Sequence, residues 1–332
     1  MKVIVTGGSG FIGTNMVSLL IKKGFDVVNY DIIKPKLESH LKFWVDVDIC
    51  NKSEISKLIS KDNPDYIIHL AARTDMNEKI SLEGYKANID GVRNIMDAAE
   101  NSNSLNRIII ASSMLVCKLG YTPSGFDDYA PNSLYGESKV HTEKIVKDYN
   151  IDWIIVRPTS IWGPWFGEPY RNFFDLVIKG FYFNIPAKYA STKTYGYVDN
   201  TCMQIFNLLI SEDLSVKNNF YYLGDIIPIN ISDWAIRIRN LNNQSNPLTL
   251  PKWLLIFAAK VGDFLKLNVG FYKFPMNSFR YNNMTNDNII KDLHRTIDVT
   301  QIGGDSHLDN QILKTLDWLK HQKKYIFNEK ST

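Results

Sequence analysis

Cysteine is scarce in this 332-residue chain: Cys50, Cys117 and Cys202 are the only three, and they are scattered without metal-ligand spacing. So sparse and odd a set argues against a disulfide framework, fits a reducing compartment and suggests no metal site. An excess of charge of one sign is lacking too. The formal net charge is only +3, no basic stripe is interleaved with aromatics, and nucleic acid is not expected as a partner. No apolar run reaches the length of a membrane span. The longest, "WLLIFAAKVGDFL" over 253–265, is broken by Lys260 and Asp263. It reads as a packed helix, with an interfacial helix touching a membrane as the alternative. The opening "MKVIVTGG" enters a glycine turn too early for a secretory leader. Internal repeats and low-complexity linkers are missing as well. The expectation is a soluble, cytoplasmic protein.

What is present is patterned. With 45% hydrophobic and 22% charged residues, the chain can bury one large core or two moderate ones. "KVIVTG", "DVVNYD", "FWVDVD", "YIIHLAA", "RIIIASS" and "DWIIVRP" read as short buried strands. Between them, "GTNMVSLLIKKG", "NKSEISKLISKD" and "EGYKANIDGVRNIMDAAENS" carry helical spacing, and Asn51 with Glu54 resembles a helix cap. Such alternation predicts an α/β fold, a doubly wound parallel sheet with helices on both faces. After residue 165 the pattern loosens into prolines, aromatics and the Asn-rich "RNLNNQSNP". A smaller, mixed lobe is expected over 166–332, with part of 195–225 returning to the sheet.

"TGGSGFIG", Thr6 to Gly13, stands where a strand must turn into a helix. Gly7, Gly10 and Gly13 allow the tight turn, backbone approach to a pyrophosphate and close helix–strand packing. Phe11 and Ile12 open the helix whose first N–H groups would meet the phosphates. A glycine triplet alone says little, but here it has a partner. Asp31 ends the second strand, where a carboxylate accepts bonds from both hydroxyls of an adenosine ribose and repels a 2′-phosphate. NAD is favoured over NADP, although Lys34 and Lys36 leave NADP open. Downstream, "SLYGESKVH" sets Tyr135 and Lys139 at i and i+4, on one helix face.

In order, "TGGSGFIG", "DVDIC", "HLAA", "NIDG", "ASS", "YGESK" and "RPTSIWGP" resemble the extended short-chain dehydrogenases/reductases. The chain resembles their NAD-dependent epimerase/dehydratase branch, whose known members mostly act on nucleotide sugars. The resemblance is dense over residues 1–165, the expected Rossmann domain, and thinner beyond, where "YGYVDN" and "PINISDW" still fit. It implies that Tyr135 is the general acid/base. A phenol ordinarily ionises near pH ~10, and the resemblance implies that Lys139 and the nicotinamide charge bring that value down. Lys139 would also hold the nicotinamide ribose, and Ser113 would bridge the tyrosine and the substrate oxygen. Asp48 and Ile49 match residues flanking the adenine. Leu70, Ala71 and Ala72 match a strand end lining the coenzyme cleft. Asn88 matches a helix asparagine near it, and Thr159 the backbone that meets the carboxamide. His69 reads as a core residue without a role. The likeness also implies a homodimer through the helix carrying "YGESK" and the one before it.

Three departures stand out. Met114 and Leu115 occupy the positions where the family's 4,6-dehydratases carry Asp and Glu, which argues against dehydration. Val116, Cys117 and Lys118 replace a common Val-Tyr-Gly, and Cys117 reads as a filler rather than a nucleophile. Ser160 stands for the usual asparagine and Lys193 for the usual arginine. Lys193 and Arg280 are the candidates for a substrate diphosphate, with Ser160 beside them. The resulting expectation is an NAD-dependent nucleotide-sugar epimerase, acting at C4 through a transient keto intermediate, in surface-polysaccharide or sugar-nucleotide synthesis. The alternatives are a keto-sugar reductase or sugar 4-oxidase with the same residues, and, more distantly, a non-catalytic dinucleotide sensor.

Overall fold

The computed structural model describes residues 1–268, 276–303 and 307–326. In chain order the strands are β1 (Lys2–Thr6), β2 (Asp26–Asp31), β3 (Trp44–Asp46), β4 (Tyr66–His69), β5 (Arg107–Ala111) and β6 (Trp153–Pro158). Then come β7 (Ser160–Trp162), β8 (Thr192–Lys193), β9 (Tyr195–Tyr197), β10 (Asn219–Leu223) and β11 (Ile229–Asn230). The first helices are α1 (Phe11–Lys22), α2 (Lys52–Asp62), α3 (Val92–Glu100), α4 (Leu134–Lys147), α5 (Tyr170–Lys179) and α6 (Val198–Ile210). The later ones are α7 (Ile231–Leu241), α8 (Lys252–Asn268), α9 (Ser278–Thr285), α10 (Leu293–Thr300) and α11 (Leu308–Ile326).

Seven strands form one sheet in the order β10-β6-β5-β4-β1-β2-β3, every pairing parallel. This is the Rossmann arrangement with an added edge strand, and its order reverses between β1 and β4. Alternate strand residues serve two cores. Val3, Val5, Ile68, Ile109, Ile154 and Val156 pack under α1 and α6. Ile4, Ile67, Ile108, Ile110 and Ile155 pack under α2, α3 and the end of α4. Both faces are covered, so the strands read as continuous apolar runs. β10, from beyond residue 165, completes the sheet beside β6. A third core fills the smaller lobe around Trp162, Phe174, Tyr195 and Trp234.

Asn51 caps α2 as its spacing suggests, accepting from the Glu54 N–H at 3.3 Å. The helix read as continuous over 83–102 is divided. A 3-10 turn over Leu82–Tyr85 and a π-helical turn over Ala87–Gly91 precede α3. The irregular turn lets Asn88 face the Arg73 backbone and lets Gly91 lie against Ile49, where a Cβ would come within 2.5 Å of Ile49 Cδ1. The apolar run over 253–265 is helical, inside α8. Among the described residues no helix is long and apolar enough to cross a membrane.

One ion pair fixes α4 to the sheet. Arg157 Nη2 lies 2.7 Å from Glu143 Oε2, and both side chains are wholly buried. Arg157 Nε donates to Glu143 Oε1 at 2.9 Å, and Ser112 Oγ donates to the same oxygen at 2.5 Å. The guanidinium also donates to the Phe126 carbonyl and the Tyr222 hydroxyl. Removing one member leaves the other buried and uncompensated. Glu143→Ala should therefore lower the unfolding free energy by about 3–5 kcal/mol, read from urea denaturation.

Candidate active site

The site lies along the C-terminal ends of the central strands, beside the reversal of strand order, the place where sheets of this topology bind ligands. After β1 the chain turns at Gly7, whose φ is 71°, a left-handed conformation that suits glycine. A Cβ at Gly7 would come within 2.6 Å of Ala71 N, and one at Gly13 within 2.0 Å of Gly7 O. The turn is thus packed against the end of β4, with no room for a larger residue. Gly10 precedes α1 and offers no side-chain cap. The first N–H groups of α1, at Phe11, Ile12 and Gly13, therefore remain available to an anion.

Asp31 closes the other side of the turn. Its Oδ2 accepts from Ser9 N at 2.9 Å and its Oδ1 from Ile33 N at 2.9 Å. Burial raises its pKa, and these hydrogen bonds oppose the rise. The nearby Lys36 ammonium is pulled down by burial and supported by Asp31. Leu70 N donates to Thr6 O at 3.0 Å and Ala71 N to Thr6 Oγ1 at 3.2 Å, which aligns the half-buried Leu70, Ala71 and Ala72 beside the glycine turn. Ile49 is buried, whereas Asp48 is exposed and accepts from Cys50 N at 2.8 Å. Two residues are more constrained than expected. Asn88 is wholly buried, holding the Arg73 N–H and carbonyl at 2.8 and 3.0 Å and Ser138 Oγ at 2.9 Å. The Thr159 N–H donates to Leu223 O at 2.9 Å, leaving its buried hydroxyl oxygen without a partner among the described residues.

Ser113, Tyr135 and Lys139 come together from two elements. Ser113 follows β5 and its side chain accepts from Leu115 N at 3.1 Å. Ser133 caps α4 by accepting from Gly136 N at 3.1 Å, which orients the turn that presents Tyr135. A Cβ on Gly136 would come within 2.3 Å of Leu115 O, so this helix approaches the Ser113 loop closely. All three side chains are buried. Burial pushes the Tyr135 phenol up to about 12, and a hydrogen bond with Ser113 only partly opposes this. Burial pulls the Lys139 ammonium down to about 8, with Glu143, one turn on, acting the other way. Lys139 Nζ donates to the Ala111 carbonyl at 2.8 Å. Burial thus favours the protonated phenol, opposite in direction to the shift a base requires. His69 is buried beside this group, paired with Thr6 Oγ1 at 2.7 Å, and is pulled down to about 3 by burial and the Lys139 charge. Cys117 is buried with its thiol on the Asp128 carbonyl, and burial raises its pKa.

The three substrate candidates fall in the smaller lobe. Ser160 is buried at the start of β7, near the Tyr170 phenol, whose pKa it lowers against the effect of burial. Lys193 Nζ donates to the Asn283 carbonyl at 2.8 Å, and burial lowers its pKa. Asn283 belongs to α9, the helix that carries the exposed Arg280 one turn earlier. The sequence reading missed Glu143, Tyr170 and Asp225. Glu143 extends the 135, 139 spacing by one more turn, a legible signal. Asp225 follows β10, buried, and accepts from Tyr197 N at 2.9 Å and Asn200 Nδ2 at 2.8 Å. Burial pushes it up to about 6.

Strand order, glycine turn and the Ser–Tyr–Lys group define a nicotinamide-dependent enzyme of the short-chain dehydrogenase/reductase type. The chain belongs to the NAD dependent epimerase/dehydratase family, whose model matches residues 3–220. A 3-beta-hydroxysteroid dehydrogenase of Mycolicibacterium neoaurum is 27% identical over 70% of this chain and 68% of its own. A CDP-paratose 2-epimerase of Salmonella typhi is 28% identical over 49% of this chain and 58% of its own. The fold is similar to that of UDP-glucose 4-epimerase from Thermotoga maritima, with TM-score 0.74, 17% identity, and 97% and 99% of the two chains covered. It is equally similar to UDP-glucuronic acid 4-epimerase from Bacillus cereus, with TM-score 0.74, 18% identity, and 97% and 100% covered.

The residues present fit NAD: a glycine cradle closed to any Cβ at Gly7 and Gly13, open helix N–H groups, Asp31, and a Thr159 hydroxyl without a partner among the described residues. Asp31→Ala should weaken NAD binding by about 10- to 100-fold, the loss of hydrogen bonds to a charged group, and raise the relative affinity for NADP. Calorimetric titration with both coenzymes checks this. A tyrosinate absorbance titration of coenzyme-free protein, differenced against Tyr135→Phe, should show Tyr135 still protonated at pH ~10, where a free phenol is half ionised.

Proposed function

We propose that the enzyme epimerises a nucleotide-activated sugar at carbon 4 through a transient ketone. The observation that carries this reading is the buried Ser113–Tyr135–Lys139 group flanked by Met114 and Leu115, which cannot move the protons that loss of water requires. Tyr135 takes the proton of the sugar hydroxyl and later returns it. Ser113, beside the phenol, holds the same oxygen. Because the free protein keeps the phenol near 12, Lys139 alone does not make Tyr135 a base. Oxidised NAD, when bound, supplies both the hydride acceptor and the further positive charge that favours the phenolate. Lys193 and Arg280, brought to α9, would engage the diphosphate. The likeness to solved 4-epimerases supports the fold on which this reading rests. The same reading includes a homodimer through α3 and α4 and a place in surface-polysaccharide or sugar-nucleotide synthesis.

A second reading is one-way oxidation of a secondary alcohol with an apolar body. Met114 and Leu115 beside Ser113 favour it, and a 3-beta-hydroxysteroid dehydrogenase is among the relatives, 27% identical over 70% of this chain. The test is incubation, without added coenzyme, with UDP-, GDP-, dTDP- and CDP-hexoses, followed by NMR for new sugars and absorbance for reduced nicotinamide. A parallel series supplies NAD and 3β-hydroxysteroids. A new C4 epimer with no lasting reduced coenzyme supports the first reading; accumulating NADH with the steroid overturns it in favour of the second.

Tyr135→Phe should lower the turnover number by about 10²–10⁴-fold, the usual contribution of a positioned acid–base group. A coenzyme sensor would keep its function. The pH profile has a sign as well. Lys139, depressed to about 8, loses its charge as pH rises through that value, so kcat/KM should fall above about pH 8. Glu143→Gln removes the carboxylate that supports the ammonium, and should move this limb to lower pH.

A further inference from the structure

We infer that one outward face of the smaller lobe, built on α8, docks on the surface of an anionic lipid bilayer. α8 is amphipathic in the opposite sense to a helix facing water. Its buried side consists of Leu255, Ala259 and Gly262, which share one face. The other side presents Trp253, Phe257, Lys260 and Phe264, and the three aromatic residues are 68%, 62% and 60% exposed. Water-facing positions of a globular helix ordinarily carry charged or polar side chains.

The patch continues past the helix. Asn184 N donates to Leu248 O at 2.9 Å and Leu250 N to Asn184 O at 2.8 Å, which lays the strip after α5 beside the start of α8. Exposed Phe183, Tyr189 and Leu248 thereby join the aromatic face. Lys252 Nζ stands 5.1 Å from the Tyr189 ring centre, and Lys188 Nζ 4.9 Å from the same ring. Cations are thus interleaved with the rings.

Charge selects the occupant. Residues 181–192 and 246–262 contain Lys188, Lys252 and Lys260, and neither segment has an Asp or Glu. Asp263, next along the helix, faces the Ser278 N–H at 3.3 Å. A second copy of the chain meeting this face across a two-fold axis would set the lysines against themselves. Anionic headgroups complement them, while Trp and Phe rings enter the boundary between headgroups and acyl chains. The docking is peripheral, and it does not rest on the proposed reaction.

Flotation with vesicles tests this, using phosphatidylcholine alone and phosphatidylcholine with one-quarter phosphatidylglycerol. The full chain should float with the anionic vesicles and at least tenfold less with the neutral ones, and 0.5 M NaCl should release it. Trp253→Ser/Phe257→Ser and Lys252→Glu/Lys260→Glu should each reduce binding at least tenfold. Because these positions are exposed, both variants should keep the melting temperature and NAD affinity of the parent; if one fails to fold, the other carries the test. Absence of flotation with both vesicle types, or binding unchanged by both variants, overturns the proposal. A dimer in sedimentation velocity that either variant dissolves also overturns it and assigns the face to a second copy.

Discussion

The site depends on a single buried ion pair. Glu143 and Arg157 are both at zero exposure, and between them they join α4 to β6. Taking two charges out of water is expensive, and their attraction repays it only when every remaining donor and acceptor is satisfied. Here Ser112, the Phe126 carbonyl and the Tyr222 hydroxyl add further partners to the pair. Such a pair contributes little net stability compared with apolar side chains of the same volume. What it does is tie α4 to β6 at one point along the helix. Tyr135 and Lys139 sit on the same face of that helix, two turns and one turn before Glu143. Their position over the end of β5 follows from the pair.

A second constraint acts from the other side of the cleft. The glycine turn is so tight that a methyl group at Gly7 would overlap the backbone just after β4, and one at Gly13 the backbone of the turn itself. Backbone–backbone contact of this kind is rigid, because no side chain can rotate to relieve it. The coenzyme crevice is therefore bounded by two stiff walls, the β1–α1 turn and α4. Asn88 links the second wall to the loop after β4 by bonding both the Arg73 backbone and Ser138. The π-helical turn that contains it breaks the regular helix to make that reach, as such turns do at functional sites.

These features differ in how far the sequence reveals them. The glycine turn, Asp31 and the Tyr135–Lys139 spacing are legible because each is local: a tight turn, a strand end, one helix face. The parallel sheet is legible because strands buried on both faces are continuous apolar runs. Only the third core, fed by residues as far apart as Trp162 and Ile312, has no local period to announce it. Asn88 is visible as a residue, but the turn that aims it is hidden in a segment whose spacing looks helical throughout. Likewise nothing near Lys193 in sequence indicates that its ammonium meets the Asn283 carbonyl. Contacts across ninety residues belong to the fold, and a reading of neighbours cannot supply them.

The electrostatics of the site follow from these walls. Burial moves its groups toward neutrality: Tyr135 up to about 12, Lys139 down to about 8, His69 down to about 3. The Lys139 charge, together with burial, keeps His69 neutral, and a protonated imidazole would in turn press Lys139 to lose its proton. Thr6 Oγ1, by holding His69 Nδ1 at 2.7 Å, keeps the ring within the core where it stays uncharged. Glu143 then supports the ammonium that remains. The result is a site biased toward the protonated phenol and dependent on added positive charge to release it. Under the proposed function, such a site would couple its acid–base state to the coenzyme, with Tyr135 serving as the base when the positive charge of a hydride acceptor stands beside it.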